Sequence, residues 1–299
     1  MDKSNIEEHF RKISQKPFSF LPRYIAPQLV GREWYWIRRA MLMMLVTQNN
    51  ANARIRIHIL LTGPPGTGKT EFLLWYRKHL HGMLINAELA SKVGLVGDAR
   101  GNKITPGLLA DCDESVVLAD ELDKMSSKDQ NGLLQAMEEG QYMIIKGKHR
   151  ERFKAEVRII ATTNSLDKIQ KPLLDRFDFV FHVGVTSRVE RAKNVSKLTD
   201  SFLNAEEEKY TNTIIKFFDW INQYDTKIVF EDKKSIDQLI EEYILHTKTN
   251  IKYVSYRSLE LSILRIAYAM ARLECQNITV THVNNAIWLK DQILRGLVK

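Results

Sequence analysis

Short apolar runs alternate with longer amphipathic stretches between about residue 57 and residue 183. The short runs are rich in β-branched residues and have polar flanks, which is typical of strands buried in a parallel sheet. The stretches between them repeat their apolar residues at helical spacing. We therefore predict an α/β fold in which helices flank a parallel sheet. The predicted strands are residues 57–61, 83–85, 116–119, 157–161 and 179–183.

The strand pattern ends near Ser187, and helical periodicity continues from there to the end of the sequence. Residues 31–48 also have the composition of an apolar helix. The residues before position 28 contain three prolines, which interrupt regular structure. We predict three parts, namely an N-terminal extension at 1–25, an α/β domain at 26–186 and an all-helical lid domain at 187–299.

Composition narrows the function classes only slightly. The formal charge is 44 − 36 = +8 and the pI is about 9.3, which is compatible with a polyanionic partner. Cys112 and Cys275 are far apart in the sequence, so neither a disulfide framework nor a zinc ribbon is indicated. The charged N-terminus does not resemble a signal peptide, and no run approaches the roughly 18 apolar residues of a membrane span. We expect a reduced, cytoplasmic protein without a membrane partner.

A glycine-rich octet lies between the first predicted strand and a helical stretch, and it fits the pattern G-x4-G-K-[ST]. Its glycines allow backbone N–H groups to approach phosphates, and the following helix adds its positive end. Lys69 is expected to bind the β- and γ-phosphates, and Thr70 to bind Mg²⁺. The octet therefore predicts a site for ATP and Mg²⁺. Its residues are Gly63, Pro64, Pro65, Gly66, Thr67, Gly68, Lys69 and Thr70.

Two carboxylates follow the predicted strand 116–119. Next to a phosphate loop, Asp120 is expected to hold Mg²⁺ through its water shell, and Glu121 to orient and deprotonate the attacking water. Acidic pairs at strand ends are often only solvated. The presence of the glycine-rich octet earlier in the sequence is what favours a catalytic role for this pair. The combination predicts hydrolysis in addition to binding.

Arg176 lies in a short helix-like element at residues 172–178. Such an arginine can act as an arginine finger, which reaches into the nucleotide site of a neighbouring subunit and stabilises the charge of the transition state. The protein would then have to form a ring. A surface ion pair with Asp175 or Asp178 is the alternative explanation.

These motifs resemble those of the ATPase core of the minichromosome maintenance (MCM) replicative helicases, and the resemblance extends from about residue 25 to residue 289. Residues 120–125, D-E-L-D-K-M, are close to that family's D-E-F-D-K-M, and residues 174–178, L-D-R-F-D, are close to its L-S-R-F-D. Residues 25–31 and 255–269 are similar to its N-terminal motif and its lid. The resemblance implies a P-loop AAA+ fold and an ATP-dependent DNA helicase or translocase of DNA replication.

The resemblance also implies roles for individual residues. Asn164 would help to position the attacking water, as an asparagine does there in AAA+ motors, although an asparagine can also simply start a turn. Arg176 would be the arginine finger and Arg257 the sensor-2 arginine, and both would act on the site of the neighbouring subunit. The active form would then be a homo-oligomer, in this family a hexamer.

The chain departs from the family pattern at several positions. The phosphate loop has the general AAA+ form, Asn164 is followed by Ser165 instead of proline, and Asp175 occupies a position where serine is usual. Residues 94–107, which correspond to a hairpin that interrupts a helix, are fewer than in the family. We expect the protein to lack the family's N-terminal DNA-binding tier and its winged helix, because 299 residues leave no room for them beside the ATPase core. A bare motor of this kind is expected to need a loader or a replication partner.

A candidate DNA contact lies at residues 141–152, where two β-compatible runs flank a Lys-Gly-Lys tip and predict a hairpin. In the MCM family a hairpin at this point enters the ring channel, which implies that Lys146 and Lys148 contact the DNA backbone. Arg100 and Lys103 could form a second basic tip. The alternative is that basic residues occur at hairpin tips only because tips are exposed.

A second family remains open at this point, the MoxR-type AAA+ ATPases, which remodel proteins. Residues 117–121 and 133–140 resemble that family nearly as well, and it also has the hairpin. The sequence Asp-Lys-Met at 123–125, the Arg-Phe-Asp at 176–178 and the basic hairpin tip favour the helicase.

Overall fold

The computed structural model describes most of the chain, and its described residues form two compact units. One, here called the α/β unit, comprises the described residues of 49–183 and 251–258. The other, here called the helical unit, comprises those of 1–48, 184–250 and 259–299. The predicted three-part division stays a prediction. The described residues are 3–47, 55–88, 90, 92–98, 104–146, 149–185, 187–193, 195, 199, 206–223, 227–247 and 255–297.

A five-stranded sheet forms the centre of the α/β unit, and its strand order is β2–β5–β8–β1–β9. All four neighbouring pairs are parallel. These strands coincide with the five predicted ones, and the prediction of an α/β fold with a parallel sheet is confirmed. The strands of the α/β unit are β1 Ile59–Thr62, β2 Met83–Asn86, β3 Gly97–Asp98, β4 Thr105–Pro106, β5 Val116–Asp120, β6 Gln141–Lys146, β7 His149–Lys154, β8 Arg158–Thr163 and β9 Phe179–His182.

Helices flank this sheet because each connection between parallel strands must cross over one of its faces. The helix after β1 packs against β2, β5 and β8, and it buries Phe72, Leu73 and Tyr76. The centre of the sheet is buried, since all residues of β1 and all but the first residue of β8 are buried. The α-helices wholly within this unit are Lys69–Leu80, Lys92–Val96, Leu108–Asp111, Ser127–Glu139 and Lys171–Leu174.

The helical unit has its own core. The ring of Phe10 packs edge-on against Phe217 with a centroid distance of 5.9 Å. Arg38 donates hydrogen bonds to the carbonyl oxygens of Ile25 and Ala26 at 2.6 and 2.7 Å, which fixes the loop before the helix Arg32–Val46. The other α-helices of this unit are Lys3–Ser14, Pro17–Phe20, Arg188–Lys193, Glu206–Gln223, Lys233–His246, most of Tyr256–Leu273, and Val280–Leu297. In the part of the chain that the structure describes, no helix is long and apolar enough to cross a membrane.

Two antiparallel hairpins extend the α/β unit. Strands β6 and β7 pair from Gln141–Lys154 to Lys146–His149, so the predicted hairpin is confirmed. Strands β3 and β4 pair on either side of residues 99–103. The backbone N–H of Gly107 donates to the hydroxyl of Tyr142 at 3.2 Å, which joins the bases of the two hairpins.

The four residues predicted to contact DNA lie partly or wholly outside the residues that the structure describes. The backbone of Lys146 ends β6, but its side chain lies outside the described residues. Lys148, Arg100 and Lys103 lie wholly outside them. These four assignments stay predictions.

Candidate nucleotide site

The carboxyl ends of β1, β5 and β8 meet at one edge of the sheet because these strands are parallel neighbours. The register pairs Thr62 with Thr163 and Ala119 with Ala161. The phosphate loop, Asp120 and Asn164 follow these strand ends and therefore come together. This edge is where ligands bind in open α/β sheets.

The phosphate loop depends on backbone conformations that favour glycine. Gly63, Gly66 and Gly68 have φ values of +144°, +75° and +92°. A Cβ atom on Gly63 would lie 2.2 Å from the carbonyl oxygen of Val183, whereas one on Gly66 would meet no atom within 4 Å. Gly63 is therefore required by packing, while Gly66 faces open space and leaves room for a phosphate.

Gly63→Ala should destabilise the protein far more than Gly66→Ala. The first variant combines an unfavourable φ with a backbone clash, and we expect a cost of about 3 kcal/mol or more. Gly66→Ala meets no clash, and the left-handed backbone conformation alone should cost about 1 kcal/mol of stability. Thermal unfolding followed by circular dichroism compares the two midpoints. Equal midpoints would contradict the close packing of the loop against Val183.

Lys69 is held inside the loop by carbonyl oxygens. Its Nζ donates to the carbonyls of Gly63 and Pro64 at 2.7 and 2.8 Å, and its side chain is buried. Burial lowers the pKa of the Lys69 ammonium, while the carboxylates of Asp120, Asp123 and Glu121 act in the opposite direction. A phosphate oxygen would compete with these carbonyl oxygens for a cation that is already desolvated.

Thr70 and Asp120 provide oxygen atoms that fit Mg²⁺. The hydroxyl of Thr70 donates to Asp120 Oδ1 at 3.1 Å, so the two predicted metal-binding side chains face each other. Hydroxyl, carboxylate, water and phosphate oxygens are the ligands that Mg²⁺ prefers. Among the described residues, no group of three or more His, Cys, Asp or Glu side chains could hold a metal ion. One hydroxyl and one carboxylate suit an ion that, like Mg²⁺, takes its remaining ligands from phosphates and water.

Thr162 positions both carboxylates and was not predicted as a site residue. Its hydroxyl donates to Asp120 Oδ1 at 2.5 Å and accepts from the backbone N–H of Glu121 at 3.0 Å. Glu121 has a φ of +57°, which is uncommon for a residue other than glycine. The hydrogen bond from its N–H holds this strained turn in place, and strain of this kind is concentrated at functional sites.

The carboxylate of Glu121 is paired with a lysine from the following turn. Lys124 Nζ lies 2.8 Å from Glu121 Oε2 and 3.0 Å from Glu88 Oε2. Hydrogen bonds from Lys124 to these two carboxylates raise its pKa. Glu121 is thus oriented by its backbone on one side and by an ammonium on the other.

Asn164 is positioned by a third carboxylate, which was also not predicted. Asp123 Oδ1 accepts from the backbone N–H of Asn164 and from the hydroxyl of Thr163, both at 3.1 Å. The side chain of Asn164 is exposed at the edge of the sheet. Two threonines directly before Asn164, in an otherwise apolar run, were the sequence signal for these contacts.

Arg176 lies on a loop whose other residues anchor it. Phe177 is buried, and the carboxylate of Asp178 accepts from the backbone N–H of His58 at 3.1 Å. Arg176 itself is partly exposed and donates to Glu138 Oε1 at 2.6 Å, while Asp175 lies 3.8 Å away. An ion pair within the chain is therefore present, and its main partner is Glu138. A guanidinium has five donors, so this pair leaves others available.

Arg257 is exposed in the first turn of the helix Tyr256–Leu273 and belongs to the α/β unit. It shares this unit with Arg176, but the residues that contact Arg176 are Glu138, Asp175 and Ser258, none of which belongs to the phosphate loop. The described residues of the site thus fall into two groups. One surrounds the phosphate loop, and the other surrounds Arg176.

A family model described as the MCM P-loop domain matches residues 6–201, which is more than half of the chain. The chain is 29% identical over 209 residues to the maternal DNA replication licensing factor mcm3 of Xenopus laevis, covering 61% of this chain and 26% of that protein. It is 26% identical over 268 residues to the DNA replication licensing factor mcm2 of Schizosaccharomyces pombe, covering 81% and 32%.

A third relative extends the match further along the chain. The zygotic DNA replication licensing factor mcm6 of Xenopus tropicalis is 26% identical over 300 residues, covering 86% of this chain and 35% of that protein. The chain spans about a quarter to a third of the length of these curated relatives.

Proposed function

Because the chain belongs to the MCM P-loop domain family, we propose that it is an ATP-hydrolysing DNA translocase or helicase that works as a ring, in a role connected with DNA replication. The observation that carries the proposal is the convergence of Lys69, Asp120 and Glu121 at one edge of the sheet, each held by specific contacts. Such preorganisation is what phosphoryl transfer to water requires of a protein.

Within the proposed site each side chain has one task. Lys69 neutralises charge on the phosphates, and Glu121 takes the proton of the attacking water. Thr70 and Asp120 would hold Mg²⁺, which supplies charge neutralisation at the phosphate oxygens when bound. Asn164, whose backbone N–H is bound by Asp123, would align the water with its exposed side-chain amide.

Arg176 and Arg257 are proposed to complete the site of a neighbouring subunit. The contacts of Arg176 lie apart from the phosphate loop of its own chain, and Arg257 is exposed, as a contribution in trans requires. Such an arginine stabilises the transition state and is worth about 10³–10⁵ in turnover where it has been removed from other enzymes. The proposed assembly is a closed ring of identical subunits, with a hexamer as the expected size.

DNA is the proposed polyanionic partner, and the β6–β7 hairpin is the proposed contact. The register of this hairpin ends with the pair Lys146–His149, and Arg150 and Arg152 are exposed on β7. A row of cations provides a grip on phosphates that does not depend on sequence. A loader or replication partner would bring the ring to DNA.

Steady-state ATP hydrolysis with and without single- and double-stranded DNA tests the proposal. We expect a several-fold stimulation by DNA that falls as salt is raised, because counterion release makes phosphate contacts salt-dependent. Hydrolysis that is indifferent to DNA under all conditions would contradict a DNA motor and favour the protein-remodelling activity of the MoxR type. The family match argues against that alternative.

The double variant Lys146→Ala/Lys148→Ala should lose the stimulation by DNA and keep basal hydrolysis and ring formation. Loss of two phosphate contacts should reduce the slope of log K against log salt by about 1.4 for single strands or about 1.8 for duplex DNA. Fluorescence anisotropy at several salt concentrations measures this slope. The matched control is Lys78→Ala/Lys128→Ala, which removes the same charge from exposed positions of the same unit. Equal DNA affinity in the two double variants would rule out the hairpin as the contact.

A further inference from the structure

Asp175 joins the loop of Arg176 to the start of the helix that carries Arg257. Its carboxylate accepts from the backbone N–H of Ser255 at 2.5 Å, from the hydroxyl of Ser255 at 3.0 Å and from the hydroxyl of Ser258 at 2.6 Å. All of these residues belong to the α/β unit. One side chain thus ties together two segments that are about eighty residues apart in the sequence.

The site of attachment is the N-terminus of the helix Tyr256–Leu273. Ser255 precedes this helix, and its hydroxyl accepts from the backbone N–H of Ser258 at 3.3 Å, which is the usual contact of an N-cap. The free N–H groups and the helix dipole make this end positive. A carboxylate is stabilised there more strongly than a neutral hydroxyl, because its hydrogen bonds are assisted by charge.

The two arginines lie on either side of this attachment. Arg176 directly follows Asp175, and its Nη1 lies 3.5 Å from the hydroxyl of Ser258. Arg257 lies between the two serines that bind Asp175. The backbone of each arginine is therefore within one or two residues of the same carboxylate.

We infer that Asp175 is a positioning residue that fixes the spacing between Arg176 and Arg257, so that the two arginines enter the neighbouring site as one unit. The inference rests on the proposed function, in which both arginines act in trans. It also gives a reason for an acidic residue at position 175. A serine there could not bind the three donors with a full negative charge.

The first test is Asp175→Asn, which keeps the size of the side chain and removes its charge. We expect kcat for ATP hydrolysis to fall by about ten- to a hundredfold, as misplaced catalytic groups cause, with KM changing by less than about twofold. The second variant is Ser258→Ala, which removes a donor from the other side of the contact. If the contact acts as a unit, the double variant should be no worse than Asp175→Asn alone.

Asp129→Asn is the matched control for stability. Asp129 lies in the first turn of the helix Ser127–Glu139, and its carboxylate accepts from the hydroxyl of the N-cap serine Ser126 at 2.5 Å. Its backbone N–H donates to the same hydroxyl at 3.3 Å, and neither contact involves an arginine. Thermal unfolding should show a loss of stability for both variants, and a larger one for Asp175→Asn, because the carboxylate of Asp175 accepts three hydrogen bonds and that of Asp129 accepts one from Ser126. Only Asp175→Asn should lose turnover. A loss of kcat that follows thermal stability equally in both variants would overturn the positioning role.

Mixing experiments distinguish this inference from the proposed function. Asp175→Asn subunits have an intact phosphate loop, so mixing them with Glu121→Gln subunits should give more turnover than the two preparations measured separately. If Arg176→Ala were inactive but Asp175→Asn and Ser258→Ala were both fully active, only the positioning role would be overturned. If Arg176→Ala itself kept full turnover, the arginine finger and the inference would both be wrong.

Discussion

Replacing Glu121 with glutamine should remove ATP hydrolysis and leave nucleotide binding intact. The amide has the size of the carboxylate but cannot accept the proton of the attacking water, and general-base catalysis of this kind contributes about 10²–10⁴ in rate. Lys69 and Thr70 bind the phosphates and the metal in the proposed site, so the affinity for ATP should change little. Steady-state turnover and calorimetric titration with ATP measure the two quantities separately.

Glu88→Gln is the matched control for this experiment. Glu88 binds the same lysine as Glu121, with Lys124 Nζ at 3.0 Å from Glu88 and 2.8 Å from Glu121, and the substitution removes the same charge. We expect Glu88→Gln to keep most of the turnover, since Glu88 has no task in the reaction. Similar losses in both variants would show that the charge around Lys124 matters and not a general base at position 121.

The sheet could be predicted from the sequence because its pattern is local. Each strand is a short apolar run with polar flanks, and all five predicted runs are strands of one parallel sheet. The β6–β7 hairpin could be predicted for the same reason, since both strands and their turn lie within a few residues of each other. In these elements local propensity and the tertiary fold agree.

The contacts that complete the site could not be predicted, because they join strands that are distant in the sequence. Thr162 contacts Asp120 and Glu121 only because β5 and β8 are neighbours in register. The contact of Asp123 with Asn164 arises from the same pairing. A sequence can show that a strand ends in polar residues, but the identity of the facing residue follows from strand order and register.

The main ion-pair partner of Arg176 could not be predicted for the same reason. The sequence suggested the neighbouring residues Asp175 and Asp178 as ion-pair partners of Arg176. In the structure its closest partner is Glu138, near the end of the helix Ser127–Glu139. Asp178 instead accepts from the backbone of His58 and anchors the loop to the start of the sheet. Asp175 does lie 3.8 Å from Arg176, so one of the two carboxylates suggested by the sequence is an ion-pair partner. The closer contact with Glu138 could not be predicted, because loop and helix meet only in the folded chain.

Arg176→Ala should lower turnover by about 10³-fold or more if the arginine acts as a finger. Arg176→Ala subunits have an intact phosphate loop and Glu121→Gln subunits have an intact arginine. A mixture should therefore contain interfaces that combine both intact halves and should regain partial activity. Titrating one variant into the other at constant total protein, and measuring ATP turnover at each ratio, follows this complementation.

Glu138→Ala separates the two explanations of Arg176. In the structure Arg176 is bound to Glu138 at 2.6 Å, and a partly exposed ion pair of this kind contributes at most about 1 kcal/mol to stability. If the ion pair were the whole role of Arg176, removing either partner should have the same small effect, and mixing should restore nothing. If Arg176 acts in trans, Glu138→Ala should keep full turnover, because the finger does not need its partner within the chain. A difference between the two variants of a hundredfold or more lies far outside what loss of a surface ion pair can produce, since about 1 kcal/mol changes an equilibrium by less than about tenfold.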